Sequence, residues 1–301
     1  MLSIITALFN KCELTQAYWE SLQQFPPSEP WEIIWIDDGS TDGTREWLRS
    51  LHDPRHRVIF NETNQGFANN NNAGAHLANG STLAFLNNDL VLTENWLPPM
   101  LEVFTQFQHA GVVGNVQRNA ITHAIDHSAT YISARGIPLH DRSLPPIPPR
   151  FRPVIAATAA CILMTKERFL GLNGFDPLFI NGYEDVDLCL RSKQAGFQNF
   201  VALESSIYHH ISSSPGRSRH ERQNQRLFLS RWKNQLPKFA VESWNEVALR
   251  DPWEATLRGW TAKTARWLKN RYRAAHQECP FWMKRTIPLL IEQQLKNLET
   301  E

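Results

Sequence analysis

The chain has 301 residues, 42% of them hydrophobic and 20% charged, with a formal net charge of +1. That length suits one large α/β domain with an appendage, or two ordinary domains, and the near-neutral balance argues for neither a nucleic-acid coat nor an acidic partner. Its cysteines, Cys12, Cys161, Cys189 and Cys279, form no CxxC pair, so they read as reduced, buried thiols and not as a disulfide frame or zinc site. The opening MLSIITALFN lacks a basic stretch and a cleavage site, and no run of about 18 apolar residues is present. A cytoplasmic protein is expected.

Leu2 to Leu8 is a continuous apolar run, as for a strand buried on both faces of a parallel sheet. Leu14, Tyr18, Leu22 and Phe25 follow at helical spacing, closed by Pro26-Pro27. Trp31 to Ile36 predicts a second buried strand that stops in DDGSTDGT; Trp47, Leu48 and Leu51 mark a short helix, and Arg57 to Phe60 a third strand. This alternation predicts a doubly wound α/β sheet, whose ligands gather beyond the carboxyl ends of the strands. Asn61 to Gly74, NETNQGFANNNNAG, is a polar loop opening a helix. Thr82 to Leu86 is a strand followed at once by NND. Trp96, Met100, Leu101, Phe104 and Phe107 give a helix, and Gly111 to Val116 a strand. Residues 117 to 150 look irregular, ending in SLPPIPPR, and are expected to form a loop bordering the active site. Val154 to Met164 reads as one buried strand, and Gln198 to Leu203 as the last, leading to IYHHISSSPGR.

Between these two strands lies NGFDPLFINGYEDVDLCLR, residues 173–191, in which Asp176, Glu184, Asp185 and Asp187 precede or open an amphipathic helix. Acids are favoured at a helix start whether or not they are functional. Asp37-Asp38, Asp89 and Glu184-Asp185 nevertheless all fall at or just after strand ends, and so many on one rim exceed what capping needs. Beyond about residue 215 the composition turns to Arg, Gln, Trp and Lys. Trp253, Leu257, Trp260, Thr264 and Trp267 share one stripe, opposite Arg258, Arg266, Lys269 and Arg273. Such a helix either docks on the catalytic domain or lies on a membrane surface.

The series WIDDGSTDGT, NQGFANNNNAG, LNND, NGFDPLFINGYEDVDLCLR and IYHHISSSPGR resembles the nucleotide-sugar-dependent glycosyltransferases of family 2, nearest their rhamnosyltransferase-like branch. The resemblance covers roughly residues 2 to 215. It implies a GT-A catalytic domain over 1–215, with residues 216–301 as a C-terminal helical extension outside it. It also implies that Asp37 bonds the nucleobase, with Thr6, Asn10, Asp38 and Ser40 nearby, and that Asn64, Gly66 and Asn70 shape the nucleotide pocket. Asn87, Asn88 and Asp89 stand where the family carries its metal-binding DxD, so Asp89 alone supplies charge. His209 matches the histidine that completes metal coordination, with His210 close behind; His127 and Arg217 are weaker candidates for acceptor or diphosphate. Asp185 matches the catalytic base, with Glu184 supporting it.

These roles fit one chemistry. A divalent ion, Mn2+ or Mg2+, neutralises charge on a nucleotide diphosphate leaving group. A carboxylate takes the proton of the attacking acceptor hydroxyl, and a single in-line displacement inverts the sugar. The implied partners are a nucleotide-diphosphate sugar donor and a glycan or lipid-linked acceptor at the cytosolic face of a membrane, with peripheral contact through the C-terminal helices and no nucleic acid. Two other functions compete. A sugar nucleotidyltransferase would want a glycine-rich basic signature where this chain has LFNKCELT. A nucleotide-sugar-binding protein with a decayed site is hinted at by Asn87.

Overall fold

The fold is known from a computed structural model, which describes residues 1–145, 148–210, 220–250, 279 and 281–300. Two compact units are present, Met1–Ala129 with Asp141–His220, and Thr130–His140 with Glu221–Glu301.

The first unit is α/β, as its alternating pattern predicts. β1 (Leu2–Leu8) is buried almost throughout because it lies between β2 (Trp31–Asp37) and β4 (Thr82–Leu86), parallel to both. β3 (His56–Phe60) extends the parallel half beyond β2. β11 (Cys161–Thr165) runs antiparallel to β4 and to β6 (Ala110–Asn119), and β6 is parallel to β12 (Gln198–His209). β10 (Phe151–Val154) closes that side antiparallel to β12. Two short strands sit off this path: β5 (Leu90–Val91) on β12, and β7 (Ile125–His127) on β6. Since β11 opposes both β4 and β6, the strands β2, β1, β4, β6 and β12 all end on the same edge.

Helices cover the faces. α1 (Cys12–Gln24) buries Tyr18, Trp19 and Leu22 in a core shared with Trp31, Trp35 and Leu48 of β2 and α2 (Thr44–Ser50). α3 (Gly66–Leu77) packs so closely on the sheet that Gly74 leaves no room for a side chain: a Cβ there would lie 2.5 Å from Ile5 Cγ2. α4 (Pro98–Gln106) buries Met100 and Val103. α5 (Lys166–Gly171) follows β11 directly, and α6 (Glu184–Gln194) is tied down by Asn199 of β12. That fully buried amide donates to the carbonyls of Cys189 and Ile155, both at 2.9 Å, and accepts from Val112 N at 3.0 Å.

Three expectations need correction. Residues 154–164 are not one strand: β10 ends at Val154 and β11 begins at Cys161. Thr158 and Ala159 between them donate their amides to His127 and Asp185 instead of to a neighbouring strand. Residues 117–150 are not an irregular loop, because they hold the end of β6, β7, β8 (Ala129–Ile132) and β9 (Pro138–Asp141). Strands of three or four residues show too little alternation to be read from sequence. β12 continues six residues past Leu203, its register shifting between Ala202 and Ser206, which is what brings His209 to the strand-end edge.

In the second unit, β8 and β9 form a two-stranded sheet, where Ile132 N donates to Ser243 Oγ at 3.0 Å. Gly136 at the hairpin turn (φ 77°) faces Leu229 of α7 (Glu221–Trp232), Leu236 of α8 (Leu236–Arg250) and Ile291 of α9 (Phe281–Thr300). The hairpin thus comes from within the stretch expected to form the first domain. Among the described residues no helix is long and apolar enough to cross a membrane. The tryptophan stripe Trp253 to Trp267 and its basic opposite face lie outside the described residues, as do Ser212 to Ser214 and Arg217.

Candidate active site

At the end of β2 the two aspartates do different work. Asp37 is fully buried; its carboxylate accepts from Arg45 Nε at 2.6 Å and from Ser40 N at 3.3 Å. Arg45 also donates to the Asn61 carbonyl and lies 5.7 Å over the Phe60 ring. Asp38 caps α3 from a distance, accepting from Gln65 N at 2.7 Å, Gly66 N at 3.0 Å and Asn61 Nδ2 at 3.2 Å. The first two are backbone amides that a helix start leaves without intrahelical partners. Asn61 Nδ2 also donates to the buried Asn70 Oδ1 at 2.7 Å, while Asn64 is exposed. Gly66 holds φ 81°, which lets the loop turn into the helix.

The end of β1 is bound to this turn. Asn10 N donates to Ser40 Oγ at 2.7 Å, and Thr41 N to Asn10 Oδ1 at 2.8 Å. Thr6 is fully buried, its hydroxyl 3.2 Å from the Tyr18 phenol, so it supports the strand from within.

Asn87, Asn88 and Asp89 follow β4. Asn87 N donates to the Ala160 carbonyl at 2.9 Å, and Asn88 Nδ2 to Thr15 Oγ1 at 2.8 Å. Pairing of β5 with β12 sets Leu90 opposite His209 and brings Asp89 beside the end of β12. His209 Nε2 lies 3.2 Å from Asp89 Oδ1, and Lys11 Nζ lies 3.7 Å from Asp89 Oδ2. His210 contributes only its amide, donating to the Asp89 carbonyl at 2.9 Å. Burial lowers the Lys11 pKa, against the pull of Asp89, which raises it.

This donor set fits a divalent ion. Two ligand atoms each about 2.1 Å from a small octahedral cation stand about 3 Å apart when adjacent, close to the Asp89–His209 separation. A carboxylate oxygen with an imidazole nitrogen suits manganese or magnesium completed by phosphate and water. Among the described residues no group of three or more metal-binding side chains occurs, so such an ion would depend on the nucleotide for most of its coordination.

At the start of α6 only one acid is left partly open. Glu184 is buried and its Oε2 accepts from Gly182 N at 2.6 Å; Asp187 is fully buried and holds Arg191 Nε at 2.7 Å. Arg191 in turn donates to the carbonyls of Leu172 and Gly174, fixing the NGF loop. Asp185 is half-buried, with Oδ1 accepting from Val186 N at 2.8 Å and Oδ2 from Ala159 N at 3.1 Å. Asn181 and Tyr183, at φ 53° and 75°, bend the chain into the helix. His127 is buried, its Nε2 accepting from Thr158 N at 3.2 Å, and so positions the same segment that holds Asp185.

Asp37, Asp89, Asp185 and His209 therefore belong to one edge of the sheet. Bonds from Asn87 to Ala160 and from Ala159 to Asp185 connect the loop after β4 to α6. Lys11, Arg45 and the Thr158–Ala160 segment were not singled out from the sequence. The lysine of LFNKCELT directly follows the strand-end loop that was, and adjacency was the available signal.

The chain shares its fold with glycosyltransferases of known structure. It superimposes over 97% of its length on 57% of GalNAc-T7 bound to UDP, GalNAc and Mn2+, with a TM-score of 0.66 and 17% identity. By sequence it is 26% identical over 223 residues to the O-antigen biosynthesis protein RfbC of Myxococcus xanthus, covering 70% of this chain and 17% of that protein. It is also 26% identical over 219 residues to the N-acetylglucosaminyl-diphospho-decaprenol L-rhamnosyltransferase of Mycobacterium tuberculosis, covering 62% and 69% respectively. The chain spans only 25% and 17% of the first two curated relatives it matches. Residues 3–149, just under half of the chain, match the family described as Glycosyl transferase family 2.

Proposed function

We propose that this chain is an inverting glycosyltransferase that moves a sugar from a nucleotide-diphosphate donor to a hydroxyl of a glycan or lipid-linked acceptor. What favours this function most is the placement of the Asp89–His209 pair and of Asp185, the one half-open acid of the α6 start, on a single strand-end edge. Asp89 and His209 would hold Mn2+ or Mg2+ through one oxygen and one nitrogen. Bound there with the donor, such an ion supplies Lewis-acid neutralisation of the leaving diphosphate. Asp185 accepts the proton of the acceptor hydroxyl as its oxygen bonds the anomeric carbon and the bond from that carbon to the diphosphate breaks. Glu184 shapes the turn that presents Asp185. Asp37 acts beneath the pocket, through Arg45 and the Ser40 turn, while Asn10, Asp38, Asn64, Gly66 and Asn70 form its nucleotide side.

The Mycobacterium relative supports a rhamnosyltransferase-like branch and a lipid-linked acceptor, and the Myxococcus relative a role in cell-envelope polysaccharide synthesis. Such work belongs on the cytosolic face of a membrane. The test is release of free nucleoside diphosphate from UDP-, dTDP- and GDP-sugars offered with lipid-linked and oligosaccharide acceptors. Acceptor-stimulated release supports the proposal. Release of pyrophosphate from a nucleoside triphosphate and a sugar 1-phosphate would indicate a nucleotidyltransferase, and tight binding without turnover a binding protein.

A further inference from the structure

Lys11 takes no part in the donor site as set out above, yet unusual backbone geometry places it there. Asn10 and Lys11 lie at φ 56° and 64°, a left-handed conformation that L side chains disfavour. Bonds on both sides hold the turn. Asn10 is joined to Ser40 and Thr41, as described. The Lys11 carbonyl accepts from Thr15 N at 3.0 Å and from Thr15 Oγ1 at 3.1 Å, and that hydroxyl accepts from Asn88 Nδ2 at 2.8 Å. The turn is therefore bonded both to the loop after β2 and to the loop after β4. Its side chain delivers an ammonium to Asp89 Oδ2, while His209 faces Oδ1.

Resting on the glycosyltransferase function proposed above, we infer that Lys11 binds the donor's diphosphate, its ammonium meeting phosphate oxygens beside the cation held at Asp89. Charge makes this placement sensible. Asn87-Asn88-Asp89 offers one negative charge, and Lys11 balances it, so the pocket can receive an anion with or without a divalent ion. An ammonium on a four-carbon stem carries three donors and can swing between a carboxylate and a phosphate in one pocket. If Lys11 served only to neutralise Asp89, its removal would loosen the pocket for every nucleotide alike.

Isothermal titration of the full chain with UDP, GDP and dTDP, and with the matching monophosphates, separates these roles when run in EDTA and in Mn2+. For the base that binds, Lys11→Met should lower diphosphate affinity at least about tenfold in EDTA and monophosphate affinity by no more than about threefold, because the monophosphate carries less charge. The variant should also gain more from Mn2+ than the parent does, and Lys11→Arg should keep most of the diphosphate affinity. Equal diphosphate affinity of Lys11→Met and parent in both buffers overturns the inference and leaves the glycosyltransferase function standing. An equal loss for mono- and diphosphate, or no rescue by arginine, overturns it too. A parent that binds none of these nucleotides in either buffer overturns both.

Discussion

Removing Arg45 tests what the buried carboxylate at the end of β2 is for. Asp37 is fully buried, and Arg45 Nε is its one short partner, at 2.6 Å. Arg45→Ala would leave it the two 3.3 Å approaches from Ser40 N and would also remove the bond to the Asn61 carbonyl and the contact over Phe60. Orphaning one member of a buried ion pair costs about 3–5 kcal/mol. The Arg45 side chain is 25% exposed, so water can reach the vacated place, and about 2–3 kcal/mol is the better expectation. A unit of this size loses about 2–4 °C of Tm per kcal/mol, which predicts a fall of about 4–12 °C. Thermal and urea melts of Arg45→Ala, Asp37→Asn and the double variant measure it. Asp37→Asn removes the charge that Arg45 neutralises, so the double variant should be no less stable than Arg45→Ala, a coupling of about 1–3 kcal/mol. Additive losses, or an Arg45→Ala melt within about 1 °C of the parent, would refute a structural role for the pair.

Asp185→Asn should lower turnover by about 10²–10⁴-fold and leave the thermal shift given by nucleoside diphosphate in place; loss of both would make Asp185 a binding residue. Asp89→Asn should abolish the part of nucleotide affinity that depends on Mn2+, whereas His210→Ala should preserve it. Gly74→Ala forces a methyl to 2.5 Å from Ile5 Cγ2 and 3.0 Å from Ile36 Cδ1, an overpacking expected to cost about 1–3 kcal/mol in urea melts. Burial holds the His56 pKa below its ordinary 6.5, and Trp35 Nε1 donates to its Nδ1 at 3.1 Å. The unfolded chain then binds that proton more readily, so stability is present above about pH 6.5 and falls as the pH drops below it. Melts across that range should show the slope, and His56→Gln should flatten it; an unchanged slope would put the proton elsewhere.

Much of the strand-end edge was legible because buried parallel strands announce themselves as unbroken apolar runs: LSIITAL, WEIIWI and TLAFL all became neighbours on the sheet. The acids after them were legible for the same reason, since a strand that stops abruptly marks its carboxyl end. What stayed hidden was decided by contacts distant in sequence. Nothing in WIDDGS shows that Asp37 turns inward to Arg45 while Asp38 caps a helix that begins at Gly66. The apolar run at 154–164 looks like a strand, but burial there comes from Ala157 against Gly114, and the amides of Thr158 and Ala159 go to side chains. Likewise, polar ESS within β12 masked a strand that continues through a bulge to His209. The choice between His209 and His210 depended on that continuation, because pairing of Leu90 with His209 decides which ring faces Asp89.

Anomalous diffraction at the manganese edge, from crystals of the full chain grown with Mn2+ and the nucleoside diphosphate that binds it, tests the central claim most directly. One peak is predicted within ligand distance of the Asp89 carboxylate and His209 Nε2, with the diphosphate against it and Asp185 across the sugar pocket. A nucleotide seated away from the carboxyl ends of β2 and β4, or manganese bound without Asp89, would contradict the account.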